Sequence, residues 1–133
     1  MDIKMREFEK RILSELEEAG QENFPTLLNT IVTPTGNASE RNEFQTALTN
    51  LLQNGFIKIG LERDANRRLK NMSDEDSFAL LTRITEHLVF KTQSGHWTGG
   101  ARPWPEVVYT EMGKVEGRKI LQEFGYQWWR QKD

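Results

Sequence analysis

Apolar side chains recur at three- and four-residue steps near the start of the chain, with charged residues between them. The apolar positions are Met5, Phe8, Ile12, Leu13 and Leu16. This spacing places them on one side of an α-helix. Ala19-Gly20 supplies an end, because glycine tolerates the left-handed conformation that closes many helices. The sequence therefore predicts an amphipathic helix over residues 3–19, followed by a turn.

A second apolar stripe is shorter and consists of Leu27, Leu28, Ile31 and Val32. Asn23 can cap a helix of about two turns that has Pro25 near its start, where a missing N–H costs little. The segment 33–37 contains Pro, Gly and Asn together and predicts a turn.

The third predicted helix, over residues 38–53, has an apolar stripe and a polar stripe. Its apolar positions are Phe44, Ala47, Leu48, Leu51 and Leu52. Two capping arrangements are possible at its start: Asn37 with Glu40 three residues later, or Ser39 with Asn42. The first matches a capping box more closely. Asn54-Gly55 ends the helix.

The second half of the chain alternates short strands with helices. Residues 56–62 have period two, with Ile57, Ile59 and Leu61 on one face, which predicts a strand. Ser73, followed by three carboxylates, predicts the start of a helix over about 74–87. Predicted strands at 88–91 and 104–110 flank a long loop. A closing helix follows from about 111 to 130, with a break possible near Gly125.

Composition excludes several classes of protein and site. The chain has no cysteine, which removes disulfides, thiol catalysis and cysteine-based metal centres. It has neither an 18-residue apolar run nor a secretory leader pattern, so we expect a cytoplasmic protein that does not enter membranes. His87 and His96 are too far apart for a helical metal pair, and no phosphate-binding glycine motif occurs. We predict no catalytic residue, metal or cofactor.

Positive charge is concentrated in one segment although the net charge is −2. Residues 63–72 carry four basic side chains and one acidic side chain, whereas residues 1–23 carry four basic and seven acidic ones. The simpler interpretation of the basic segment is a solvated loop. The alternative is a surface that neutralises phosphates.

Two short motifs and the order of elements resemble a known superfamily. Leu51-Leu52-Gln53-Asn54-Gly55-Phe56-Ile57 is similar to the exit of a recognition helix into a wing strand, and Val108-Tyr109-Thr110-Glu111-Met112-Gly113-Lys114 is similar to a returning strand and the start of the next helix. Together with three preceding helices, they resemble the winged helix-turn-helix domain of bacterial transcriptional regulators. Tyr109 stands where that pattern usually has leucine.

The resemblance implies an α+β fold, mostly helical, in one domain over residues 1–133. Its core covers about 3–61 and 105–124. Residues 62–104 form an insertion of about forty residues, with an extra helix and a long loop, where a plain wing needs only a hairpin tip. Either the wing is greatly elaborated, or residues 88–91 form the first returning strand and the loop is an extra hairpin.

In a DNA-binding winged helix, the third helix enters the major groove and the wing contacts the DNA backbone. The resemblance therefore implies double-stranded DNA as partner and transcription regulation as role. The candidate contacts are Arg41, Asn42, Gln45, Thr46 and Thr49 on the helix, and Arg63, Arg67, Arg68 and Lys70 in the basic segment. Glu40 and Glu43 on the same helix repel phosphate and argue against this interpretation.

All the Trp and Tyr residues lie in the last 37 positions. Trp97 and Trp104 favour a small core under the long loop. Trp128 and Trp129 are adjacent near the end of a predicted helix, so we expect at least one to contact another chain. Tyr126, Trp128 and Trp129 are thus the candidate partner or homodimer contacts.

Three functional classes remain open. The first is a dimeric winged-helix DNA-binding regulator. The second is a winged-helix module for protein–protein contact without DNA binding, which the acidic balance and the terminal aromatics favour. The third is an enzyme with the long loop as a lid, for which the sequence offers no nucleophile, base or metal set. We predict the first class and no enzymatic activity.

Overall fold

The structure, a computed structural model, describes residues 4–63, 65–66 and 68–131, without the side chains of Glu62, Arg63 and Gln131. Within this part of the chain the fold is α+β. The α-helices are α1 (Glu7–Ala19), α2 (Phe24–Ile31), α3 (Ala38–Gln53), α4 (Asp74–Leu81) and α5 (Glu111–Phe124). The strands are β1 (Glu22–Asn23), β2 (Ile57–Arg63), β3 (Leu69–Asn71), β4 (Val89–Lys91), β5 (His96–Thr98) and β6 (Glu106–Tyr109). Two short 3₁₀ helices cover Ile84–Glu86 and Trp128–Gln131.

Three of the predicted helix starts are confirmed by their capping hydrogen bonds. The Asn23 side chain accepts from the Thr26 amide at 2.9 Å, and Ser73 Oγ accepts from the Asp76 amide at 3.1 Å. Of the two possible caps for α3, Asn37 is the one formed, accepting from the Ser39 amide at 2.9 Å. Each cap satisfies an N–H group that the helix itself leaves unpaired.

A four-stranded antiparallel sheet has the order β1-β6-β2-β3. Its first strand lies between α1 and α2 in the chain, and β6 returns after the insertion to lie between β1 and β2. The sequence did not predict β1, β3 or β5, because strands of two or three residues carry no detectable period. Residues 88–91 do not return beside β2: Val89–Lys91 pairs with His96–Thr98 in a separate hairpin.

Three predicted helices are shorter in the structure. The helix predicted over 3–19 begins at Glu7. The helix predicted over 74–87 ends at Leu81 and is followed by a 3₁₀ turn, and the closing helix predicted to residue 130 ends at Phe124. Gly125 provides the second stop, since its φ of 91° is unfavourable for other residues.

One apolar core joins α1, α2 and α3 to the sheet. Its fully buried members include Ile12, Leu16, Phe24, Phe44, Leu48, Ile57 and Ile59. Burying each such side chain contributes about 1.5–3 kcal/mol. Helix α5 packs closely on α1 because Gly117 faces the carbonyl oxygen of Leu13. At its start, Gly113 faces the carbonyl oxygen of Phe56.

Among the described residues, no helix combines the length and apolarity that crossing a bilayer requires.

Candidate nucleic-acid interface

The polar face of α3 is divided, and one half of it is covered by the insertion. Arg41 donates from Nη1 to the Leu88 carbonyl oxygen at 3.1 Å, and Gln45 donates from Nε2 to the Leu81 carbonyl oxygen at 2.6 Å. Both side chains are half-buried. Arg41 and Gln45 therefore attach α3 to the segment around α4, and any contact with DNA requires these bonds to break.

The hairpin β4–β5 is held against the start of α3 through Trp97. The Asn29 side chain bonds both backbone groups of Trp97 at 2.9 Å, as a neighbouring strand would. The Trp97 indole N–H donates to Glu40 at 3.1 Å, and the Arg41 guanidinium lies 5.6 Å from the indole ring centre. The hairpin is thus a fixed part of the α2–α3 surface.

The other half of the α3 face is open. Asn42 and Thr46 are exposed, and Thr49 is half-buried with its hydroxyl donating to the Gln45 carbonyl oxygen at 2.8 Å. Asn42 and Thr46 line a groove of about 420 Å³ between α3 and the first turn of α1. The groove has mixed charge, with Arg6 and Glu43 on its walls.

The basic segment lies in the antiparallel hairpin of β2 and β3, the basic hairpin. Register pairs Glu62 with Lys70 and Arg63 with Leu69. Arg68 and Lys70 are exposed. Arg67 and the side chain of Arg63, both predicted as contacts, lie outside the described residues. An ion pair of 2.9 Å between Lys58 and Asp74 ties β2 to the start of α4.

The hairpin of β2 and β3 follows α3 directly. Asn54 and Gly55 turn the chain from α3 into β2, and the Phe56 amide still bonds the Leu51 carbonyl oxygen at 2.9 Å. The returning strand β6 lies against β2 and leads into α5 through Thr110, whose hydroxyl donates to the Gly55 carbonyl oxygen at 2.7 Å. The two motifs singled out in the sequence therefore meet at one point of the fold.

No family model, curated protein or solved structure matches the chain.

The expectation that Trp128 or Trp129 faces another chain is wrong for this fold. Both are buried, with exposed fractions of 7% and 6%. The expectation assumed an α-helix, but the chain leaves α5 at Gly125 and turns, so the rings pack edge-to-face at 5.7 Å. Trp128 Nε1 donates to Ser14 Oγ at 3.1 Å, and Trp129 Nε1 donates to the Thr30 carbonyl oxygen at 3.2 Å. Tyr126 remains exposed, at 67%.

A pair of carboxyl groups, Glu15 and Glu22, was not anticipated from the sequence. Their side chains are hydrogen-bonded to each other. Burial, followed by the bond to Glu15 and its charge, raises the pKa of Glu22 to about 8. Burial also raises the pKa of Glu15. The available signal was the position of Glu15 beside the apolar stripe of α1, a helix that packs on more than one side.

His87 is a further titratable group whose pKa is shifted. Burial lowers the pKa of His87, which lies edge-to-face with Phe24 at 6.4 Å. No group of three or more acidic or histidine side chains suited to a metal ion occurs in the described part of the chain.

Proposed function

We propose that this chain is a winged helix-turn-helix protein that binds double-stranded DNA and regulates transcription. The observation that supports this best is the strand order β1-β6-β2 combined with a strand between α1 and α2 and a basic hairpin directly after α3. This is the arrangement in which a third helix and a wing lie side by side, as DNA docking requires.

The proposed contacts are fewer on the helix than the sequence suggested. Asn42, Thr46 and Thr49 remain for the groove, with amide and hydroxyl groups that suit bases or phosphates. Arg41 and Gln45 are assigned to holding the insertion. Arg63, Arg67, Arg68 and Lys70 supply the cations of the wing. Affinity then depends chiefly on phosphate contacts and is strongly sensitive to salt.

The experiment is a fluorescence anisotropy titration of a mixed-sequence labelled duplex at about 50 and 200 mM salt. The variants are Arg68→Ala/Lys70→Ala and a charge-matched control, Arg118→Ala/Lys119→Ala. The control residues lie on α5 and are exposed. We expect the parent and the control to bind with a steep salt dependence and the hairpin variant to bind more weakly with a shallower slope. Equal binding by all three proteins, or no binding at low salt, contradicts the proposal.

A second candidate function is a protein–protein module without DNA binding. It is favoured by the engagement of Arg41, the sole cation of α3, and by the exposed Glu43 on the open half of the helix. Met112 and Val115 on α5 are also exposed, at 54% and 51%. In this case the duplex titration shows no binding at either salt concentration.

The proposal includes a homodimer, for which Tyr126 is the predicted contact that stays on the surface. Sedimentation equilibrium of the parent and of Tyr126→Ala tests this part by itself. A parent mass of twice 15.5 kDa that falls toward the monomer in the variant supports it. A monomeric parent overturns it without bearing on DNA binding.

A further inference from the structure

The loop that precedes β6 lies at the same end of the sheet as the basic hairpin. β6 runs antiparallel to β2, with Tyr109 opposite Ile57 and Glu106 opposite Gly60. β2 continues for three more residues beyond Gly60 before the chain turns back into β3. Because the two strands run in opposite directions, the residues just before Glu106 enter the sheet at the end where β2 continues toward the basic hairpin.

This loop is anchored at three places. Gly100 packs so closely on the Glu86 carbonyl oxygen that no Cβ fits there. Trp104 Nε1 donates to the Gly100 carbonyl oxygen at 2.9 Å, which closes the loop on itself. The Pro105 carbonyl oxygen accepts from the Phe24 amide at 3.2 Å, which ties the loop to the start of α2. The backbone of the loop is therefore held on both sides of Arg102.

Arg102 is the exposed cation of this loop. Its guanidinium lies 4.7 Å from the centre of the Trp104 ring. Trp104 is itself packed on Gly99, where a Cβ would collide with the indole. A guanidinium that stacks on a fixed ring is restrained before any ligand arrives, so less side-chain entropy is lost on binding.

No carboxylate competes for Arg102 within the described residues. The ion pairs there do not include it, and residues 99–105 contain no acidic side chain. Glu106, the next acidic residue along the chain, accepts from Gln21 at 3.3 Å. Glu86, whose carbonyl oxygen faces Gly100, has its side chain 3.7 Å from Arg83.

We propose that residues 99–105 form a second phosphate-contacting element beside the hairpin, in which Arg102, held by Trp104, binds the backbone of duplex DNA. This inference rests on the proposed DNA binding and adds a contact that no motif in the sequence marks. The basic hairpin and Arg102 then neutralise phosphates from the same end of the sheet.

The test compares Arg102→Ala, Arg102→Lys and the matched control Arg118→Ala in duplex titrations at several salt concentrations. Each phosphate contact contributes about 0.9 to the slope of log K against log salt. We expect Arg102→Ala to lower the slope by about that amount and to weaken binding roughly 3–10-fold at 50 mM salt. Arg102→Lys keeps the slope, because it keeps the charge, and Arg118→Ala behaves as the parent.

The hairpin variant Arg68→Ala/Lys70→Ala, measured alongside, separates two kinds of failure. If it weakens binding while Arg102→Ala binds with the parent's affinity and slope, the second element is refuted and the proposed function stands. If the parent itself does not bind, the proposed function fails and takes this inference with it. Thermal unfolding of Arg102→Ala within about a degree of the parent shows that the loss is one of contact rather than of fold.

Discussion

Gln45 donates a hydrogen bond of 2.6 Å to the carbonyl oxygen of Leu81, which joins the helix predicted to read DNA to the helix of the insertion. Arg41 makes the equivalent bond to Leu88 one turn earlier. These two residues are polar and spaced as a reading face would be, yet their side chains support the fold. Substitutions at these residues should therefore lower stability, whereas substitutions at their exposed neighbours on α3 should weaken DNA binding.

We expect Gln45→Ala to lower the free energy of unfolding by about 1–2 kcal/mol, because the Leu81 carbonyl oxygen loses its hydrogen-bond donor. Thr46→Ala, one residue later and exposed, changes stability by less than about 0.5 kcal/mol. Urea unfolding followed by tryptophan fluorescence measures both. Equal stability of the two variants would show that the bond to Leu81 contributes nothing.

Asn42→Ala and Thr46→Ala are expected to show the complementary effect on DNA. Each removes a polar group from the open half of α3, and a base or phosphate contact there is worth about 1–3 kcal/mol. The double variant should therefore bind a duplex at least tenfold more weakly while it unfolds as the parent does. Unchanged affinity for every duplex tried would remove α3 from the proposed interface.

Truncating Trp128 should destabilise the protein strongly, in contrast to truncating Tyr126. The Trp128 ring is 7% exposed and is bonded to Ser14, so Trp128→Ala leaves a cavity and costs about 3–5 kcal/mol. Tyr126→Ala costs less than about 0.5 kcal/mol, since its side chain is 67% exposed. Differential scanning calorimetry distinguishes the two, and a small effect of Trp128→Ala would contradict the packing described.

The close approach of α1 and α5 predicts that Gly117→Ala is destabilising. A Cβ at this position would lie 2.7 Å from the Leu13 carbonyl oxygen. Alanine favours a helix over glycine by about 1 kcal/mol, so a loss of stability means that steric overlap exceeds this gain. We expect a net loss of about 1–3 kcal/mol, measured by thermal unfolding. Gln122→Ala, exposed on the same helix, serves as the control and should be neutral or slightly stabilising.

The Glu15–Glu22 pair makes stability depend on pH. Since the pKa of Glu22 is about 8 in the folded protein against 4.5 as its ordinary value, folding favours the protonated form. The contribution of Glu22 to the free energy of unfolding is therefore largest below about pH 4.5, and it decreases as the pH rises to about 8. Glu22→Gln removes the charge that folding disfavours and should raise the free energy of unfolding at pH 8 by about 1 kcal/mol. The effect is no larger because the side chain keeps partial contact with solvent. Glu123→Gln, on exposed α5 surface, should leave the pH profile of the melting temperature unchanged.

The sequence predicted most of the helices because their caps and stripes are local. Asn23, Asn37 and Ser73 each bond an amide within three residues, and such contacts can be recognised without knowing the fold. The two tryptophans near the end could not be placed in this way, because the turn at Gly125 takes them out of helical phase. Their partners, Ser14 and Thr30, are about 100 positions away in the chain.

The polar residues of the candidate site could be predicted from the sequence. Which of them bond the insertion and which remain open could not. Period and polarity indicate that Arg41, Asn42 and Gln45 all lie away from the core of α3. They do not indicate that the insertion returns to accept hydrogen bonds from two of the three, because its carbonyl groups at Leu81 and Leu88 are the same in any sequence. Long-range backbone acceptors of this kind carry no side-chain signal.

The most direct test of the central claim is an amide chemical-shift map of the ¹⁵N-labelled protein, recorded while a short duplex is added at low salt. We expect perturbations concentrated in residues 61–71, in the open half of α3 around Asn42 and Thr46, and in the loop before β6. Recovery of the free spectrum is expected at high salt, because the interface is built on phosphate contacts. An unchanged spectrum, or perturbations confined to the surface of α5, would contradict DNA binding through the hairpin and α3.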